Sequence, residues 1–461
     1  MTRKPFHETA LMDRPITYPQ SPPSLTEMMM RCLCLFVCLL FPSVELYAQD
    51  NSTSSSMVPI FDGTSMSGWH GRPHMSPEEY EASTDAQRQQ WMDEVAQHWT
   101  IQDGELVNDG EGPYLTTNRS YGDIELRLKY KTVSGADSGV YLRATPQVQI
   151  WDYTDPGKKD IGGNLGSGGL WNNSPGAPGK DPLTLADKPF EQWNDLRVVQ
   201  VGARTTVYLN DELVVDHAIM ENFWDRQLPL AKSGPIELQT HGGEIRWKDI
   251  QVRELTAEES NSILAAKNAD GFESKFDGKS LRGWTGAIDD YEIVDGAIQC
   301  RDERGGNLYT EETFDNFVVR VEFKLPPAGN NGLAIRFPGQ GDPAYVAFCE
   351  LQVLDDTDPV YQSVDPRQRT GSAYGIAAAH PGYLRPVGDW NFEEVTVDGT
   401  RIRVELNGTV ILDADLADVK EFMANSPHPG LSRTEGHFGF AGHTDPVQFR
   451  NVMIRPLTSV Q

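Results

Sequence analysis

Alternation of apolar and polar residues with a period of two is the dominant pattern in this chain. It runs through Asp123-Ile124-Glu125-Leu126-Arg127-Leu128-Lys129-Tyr130 and again through Val318-Val319-Arg320-Val321-Glu322-Phe323-Lys324. Residues 197–209 and 401–406 repeat it and end at Asn210-Asp211 and Asn407-Gly408. A period of two sends one set of side chains to a core and the other to water, which describes a strand. Asn-Gly after such a run signals a two-residue hairpin, because both positions tolerate positive φ. Many short strands broken by Gly, Pro and Asn predict an all-β fold built of antiparallel sandwiches of jelly-roll type.

The pattern occurs twice in the same order. Phe61-Asp62-Gly63 leading to Trp69 returns as Phe276-Asp277-Gly278 leading to Trp284. Ser138-Gly139-Val140-Tyr141-Leu142-Arg143 matches Asn331-Gly332-Leu333-Ala334-Ile335-Arg336, and Gln147 through Asp152 matches Glu350 through Asp355. Gln192-Trp193-Asn194 matches Asp389-Trp390-Asn391, and His241 through Lys248 matches His443 through Arg450. A period this long is domain duplication, not a solenoid. The expected organisation is a first domain at 57–256, a linker at 257–271 and a second domain at 272–458. The first copy carries an insertion at about 71–98 with helix signals, including Ser76-Pro77-Glu78-Glu79 as a cap with proline in the first turn. Trp193 and Trp390, at the starts of matched strands, are expected in the cores.

Composition narrows the partners. Forty basic residues stand against 67 acidic ones, a formal charge of −27 in 461 residues. That balance argues against binding nucleic acid through its phosphates and favours a neutral ligand such as a sugar. Near the N-terminus, Arg31 precedes the apolar run 32–41, and a polar stretch ends at Ala48. This reads as a secretory signal within residues 1–48, cut after Ala48, and it is too short to span a bilayer. The expected location is secreted or periplasmic, with no membrane insertion of the mature chain. Cys300 and Cys349 then remain, either as one disulfide or as two buried thiols.

The ordered motifs make each copy resemble the 3-keto-disaccharide hydrolase domain. They are the opening Phe-Asp-Gly and Trp, the Gly-Val-Tyr-Leu-Arg strand and its partner, the Trp-Asn strand, the hairpin and the closing His-to-Arg strand. The resemblance implies a concanavalin-like jelly roll and an exported enzyme that cleaves glycosides whose sugar carries a ketone at C3. A non-catalytic, lectin-like tandem module is the alternative, because this fold hosts both.

Several residues could carry chemistry. Glu350 and Gln352 share a strand face, and the resemblance places a Glu-x-Gln here on the concave side of the sheet. Gln147 stands at the matching position of the first copy, with Gln149 beside it; glutamine binds sugar but cannot act as a base. Asp152 and Asp355 follow their strands as acid/base candidates or turn residues. Arg143 and Arg336 end apolar strands, either in structural ion pairs with those aspartates or as donors to an enolate oxygen. His241 and His443 precede closing strands; histidine changes charge near neutral pH, so both are acid/base candidates. Tyr374 and His380 lie on the loop GSAYGIAAAHPGY, and Trp171 is the matched aromatic, suited to sugar binding or to the core. Asp355-Asp356-Thr357-Asp358 offers oxygens to calcium or a similar divalent metal but lacks the glycine and distal glutamate of an EF-hand loop, so a solvated turn is expected and no cofactor is assured.

With a C3 ketone, the C2 proton becomes acidic. A base can remove it and the enolate can expel the C1 oxygen, unlike the oxocarbenium route of ordinary glycosidases. In the second copy the expected base is Glu350 or His443, with Arg336, His380 or Tyr374 as donors; in the first it is His241 or Asp152, with Arg143.

Overall fold

Each copy folds into two antiparallel sheets stacked face to face, as a computed structural model of residues 56–457 shows. In the first copy the five-stranded sheet runs Trp69–Arg72, Tyr114–Thr117, Glu237–Leu238, Asp137–Leu142 and Thr145–Trp151 in spatial order. In the second it runs Trp284–Gly286, Asn307–Phe314, Gly436–Ala441, Asn330–Phe337 and Cys349–Leu354, the same order of matched strands. An eight-stranded sheet backs each one. The all-β tandem jelly-roll expectation therefore holds. The predicted signal segment lies outside the described residues, and no described helix is long and apolar enough to cross a membrane.

Alternation explains how the layers form. Leu126, Leu128 and Tyr130 meet Val140, Val148 and Ile150 in the first core, and Val319, Val321 and Phe323 meet Leu333, Leu351 and Val353 in the second. Burying such side chains supplies about 1.5–3 kcal/mol each. The residues in between on the five-stranded sheets face away from the core, and in both copies that face carries the polar groups.

The repeated motifs do matched structural work. Asp62 and Asp277 each accept two backbone N–H groups of the following turn, from Thr64 and Ser65 and from Lys279 and Ser280. The indoles of Trp69 and Trp284 donate to the carbonyls of Ile60 and Lys275, each at 2.7 Å. Asn194 and Asn391 bond the hairpin asparagines Asn210 and Asn407 at 2.8 Å. Trp193 and Trp390 are not core residues. Both are half-buried, with Lys248 over Trp193 and Arg450 over Trp390 at 4.0 Å. At the start of a strand of the eight-stranded sheet, each ring lies under long cationic side chains, where cation–π contact replaces core burial.

The insertion holds the helices Pro77–Glu81 and Asp85–His98, each opened by a capping box. Helix Ala257–Ala266 in the linker is no free tether. Its Leu264 is buried with Val201 of the first copy and Phe392 of the second. Next to it, Glu405 of the second copy is held by Arg204 of the first at 2.5 Å and by Lys267 at 3.2 Å. Cys300 and Cys349 are buried free thiols, so no disulfide joins them.

Candidate active site

The five-stranded sheet of the second copy floors a small pocket of about 180 Å³. Glu350, Gln352, Tyr374 and His443 converge there with Asp342 and Gln368. Glu350 and Gln352 share a strand, Cys349–Leu354, and so one face of it. Glu350 is 4% exposed. Burial, with the Asp342 carboxylate adding to it, pushes its carboxyl up to about 8. The Glu350 side chain lies over Gly332 on the neighbouring strand, where a β-carbon would collide with the carboxylate. Gln352 donates to Asn330 Oδ1 at 2.6 Å. Tyr374 is tied in twice: its N–H donates to the Glu350 carbonyl at 2.8 Å, and its hydroxyl accepts from Gln368 Nε2 at 3.0 Å. Burial lifts the Tyr374 hydroxyl above its ordinary value, against the lowering effect of the Gln368 bond. His443 is exposed at the rim. The pocket thus offers a buried carboxyl group with no cation among the causes that set its acidity, a phenol and an amide as hydrogen-bonding partners, and an imidazole open to water.

The model of the 3-keto-alpha-glucoside-1,2-lyase-like domain matches residues 56–253 and again 271–455. The chain belongs to this family. A 3-keto-disaccharide hydrolase of Bacteroides thetaiotaomicron is 28% identical over 247 residues, 44% of this chain and 85% of that one. A solved Parabacteroides distasonis structure, provisionally described as a glycosyl hydrolase, is 25% identical across 40% of this chain and 99% of its own, with a TM-score of 0.37. The carbohydrate-binding module CBM66 of Bacillus subtilis is 15% identical over 38% of this chain and 95% of its own, with a TM-score of 0.26.

Within this lyase-like pair, the other sequence candidates fall elsewhere. Arg336 is 1% exposed, and its donors are spent on the carbonyls of Asp315, Gly399 and Arg433 and on Asn316 Oδ1. Its backbone is left-handed, with φ of 53°, which turns the side chain out of the strand's alternation. Arg143 bonds the carbonyls of Ala231 and Gly122 and pairs with Asp123, not Asp152. Neither arginine lines the pocket of Glu350. Asp355 accepts from Ala328 N–H at 2.9 Å and from the Thr357 hydroxyl at 2.5 Å; Asp152 does the same with Gly135 at 2.8 Å and Thr154 at 2.6 Å. Both aspartates are turn residues. His380 is exposed and outside that pocket. Trp171 is half-buried, donating to the Ile161 carbonyl at 3.1 Å beneath Lys180. Among the described residues no cluster of three or more His, Cys, Asp and Glu side chains is placed to hold a metal. In the acidic turn, Asp355 is spent as above and Asp358 accepts from Val360 N–H.

The concave face of the first copy is built differently. Gln147 donates to Gln149, and Gln149 donates to Asp137 at 2.9 Å. His241 Nδ1 lies 3.3 Å from Asp137 at an exposed edge. Glu237, which sequence reading did not single out, is buried here and paired with Arg72 at 2.8 Å. Burial still pushes Glu237 up to about 7, although Arg72 and Thr116 pull it down. His74 from the insertion sits against Tyr141 and 5.0 Å from Trp224, closing over this face. The signal was present in the repeat: Glu237 and Arg72 align with Gly439 and Ala287, so one copy has a charge pair that the other lacks. Asp342 and Gln368 carried no comparable mark in the sequence.

Gly332→Ala tests the fit of Glu350 to its neighbour. The new methyl forces the carboxylate aside, so turnover falls roughly 10²-fold, the effect of misplacing a reacting group by about 1 Å. The melting temperature changes little, because a side chain moves and the backbone does not. Steady-state kinetics beside a thermal melt check this, and full activity would show that the Glu350 position is not critical.

Proposed function

We propose that the second sandwich is the working half of a glycoside-cleaving enzyme for neutral sugars oxidised to a ketone at C3. The observation that carries this is Glu350: a buried carboxyl at the pocket floor whose proton affinity, near pH 8, matches removal of a proton next to a carbonyl. Family membership and the 3-keto-disaccharide hydrolase relative support the substrate class. Glu350 takes the C2 proton, and the electron pair moves onto the C3 oxygen as an enolate. Tyr374, whose hydroxyl accepts from Gln368 and keeps its own proton to donate, supplies a hydrogen bond as that charge develops. The enolate re-forms the ketone and expels the C1 oxygen, which His443 or water at the rim protonates. Water then adds at C1 of the enone and a proton returns to C2. Arg336 and His380 have no part, since neither lines the pocket. The first copy, with Gln147 in place of the base and His74 over its face, supports the second as a scaffold. We further take the apolar run 32–41 as a signal for export.

Solvent labelling tests the route. In deuterated water the released 3-keto sugar gains deuterium at C2, and glycosides with a C3 hydroxyl are inert because their C2 proton is not acidic. Mass and NMR analysis of the product reads both. A product without solvent hydrogen at C2, or fast cleavage of unoxidised glycosides, returns the reaction to an oxocarbenium path.

A further inference from the structure

A second cavity, of about 300 Å³, opens between the two sandwiches and shares no lining residue with the pocket of Glu350. Arg143 and Lys232 of the first copy line it, together with Arg385 of the second. The carboxylates of Asp123 and Asp389 line it too, leaving one net positive charge in a chain of formal charge −27. The two guanidiniums are incompletely matched, whereas Lys232 Nζ already donates to the Leu384 carbonyl. The Arg143 side chain is 2% exposed, yet its Nε has no acceptor. The Arg385 side chain is 9% exposed; Nη1 bonds Asn261 and the Trp390 carbonyl, while Nη2 has no hydrogen-bond acceptor and stands 3.6 Å from Asp123. Asp123 is itself shared, since it also accepts from Arg143 at 3.3 Å and from Gly202 N–H at 2.8 Å. One carboxylate therefore serves two buried guanidiniums.

Leaving buried guanidinium N–H groups unpaired costs free energy that an added acceptor recovers. Consistently, burial lowers the proton affinity of Arg143, Arg385 and Lys232 alike, against the opposing pull of Asp123. Oxyanions suit this demand, because planar guanidinium donors meet carboxylate or phosphate oxygens in pairs. The volume admits a molecule of about monosaccharide size.

We infer that the cavity between the sandwiches is a binding site for a small oxyanion, held by Arg143, Arg385 and Lys232. Because both copies contribute cations, the bound anion bridges the sandwiches and stabilises their union.

Isothermal titration of the full chain with inorganic phosphate and, separately, with gluconate tests it, against sodium chloride at matched ionic strength. One saturable site per chain is expected for at least one of the two anions, with the melting temperature rising in step, and the preferred probe tells phosphate from carboxylate. Arg385→Gln should abolish the binding. Arg385 also anchors Asn261, so Lys232→Met provides a second variant that spares that contact and should weaken binding at least tenfold while the chain stays folded. No saturable heat with either anion, a response that chloride reproduces, or undiminished binding in Lys232→Met and a folded Arg385→Gln would each overturn the assignment.

Discussion

Glu350→Gln lowers turnover on a 3-keto glycoside by roughly 10²–10⁴, the range for losing a general base. The amide keeps the shape of the carboxyl and removes only its ability to take a proton, so the melting temperature and sugar binding survive. In the parent, the base works only when ionised, and burial with Asp342 pushes Glu350 up to about 8. Turnover with the parent therefore rises with pH and levels off above about 8, and the residual activity of the variant lacks that rise. Stability moves the other way. A carboxyl that holds its proton more tightly folded than unfolded loses stability as pH climbs from the ordinary glutamate range to about 8. The variant has no such loss at this position, so it melts higher than the parent above pH 8 and close to it below pH 4. Glu393, also pushed up to about 8 by burial, remains in both proteins and keeps some of the slope. Kinetics and melts across pH 4–9 read both effects. Unchanged turnover in the variant would move the base elsewhere.

The fold was legible because alternation and duplication reinforce each other. Val318 through Lys324 declares a strand locally, and its match to Asp123 through Tyr130 declares a repeat of the whole sandwich. Glu350 and Gln352 were legible for the same reason, since residues two apart on a strand share a face. Arg336 was misleading because alternation treats every strand end alike. Its own backbone is left-handed there, and the carbonyls it bonds, those of Asp315, Gly399 and Arg433, lie elsewhere in the sequence. Asp342 offers only a helix cap in its own segment, where it accepts from Ala344 N–H. That it also raises the proton affinity of Glu350 is a tertiary fact. The first copy hid its main feature differently. Glu237 lay in plain alternation, but its meaning depends on Arg72, more than 160 residues earlier, and on an insertion that the second copy does not have.

Arg72→Met is expected to cost about 3–5 kcal/mol of stability above neutral pH, the penalty for stripping the partner from a buried charge. Arg72 and Glu237 are each 3% exposed along their side chains, and the guanidinium also donates to the Met75 carbonyl at 2.9 Å and lies over Tyr80. Burial already pushes Glu237 up to about 7 with Arg72 in place. Without Arg72 the carboxyl takes a proton more readily, so the loss is smaller at pH 5–6 and grows as pH rises through 7 and above. Adding Glu237→Gln removes the charge that was left behind, and the double variant regains much of the stability, as a double-mutant cycle in urea would show. Glu237→Gln alone separates structure from chemistry. If the second sandwich does the work, turnover stays near that of the parent even though a buried glutamate has been neutralised, whereas Glu350→Gln removes it. A fall in Glu237→Gln as large as in Glu350→Gln would make the first sandwich catalytic as well, and its aromatic cover of His74 and Trp224 would then have to open for substrate to enter.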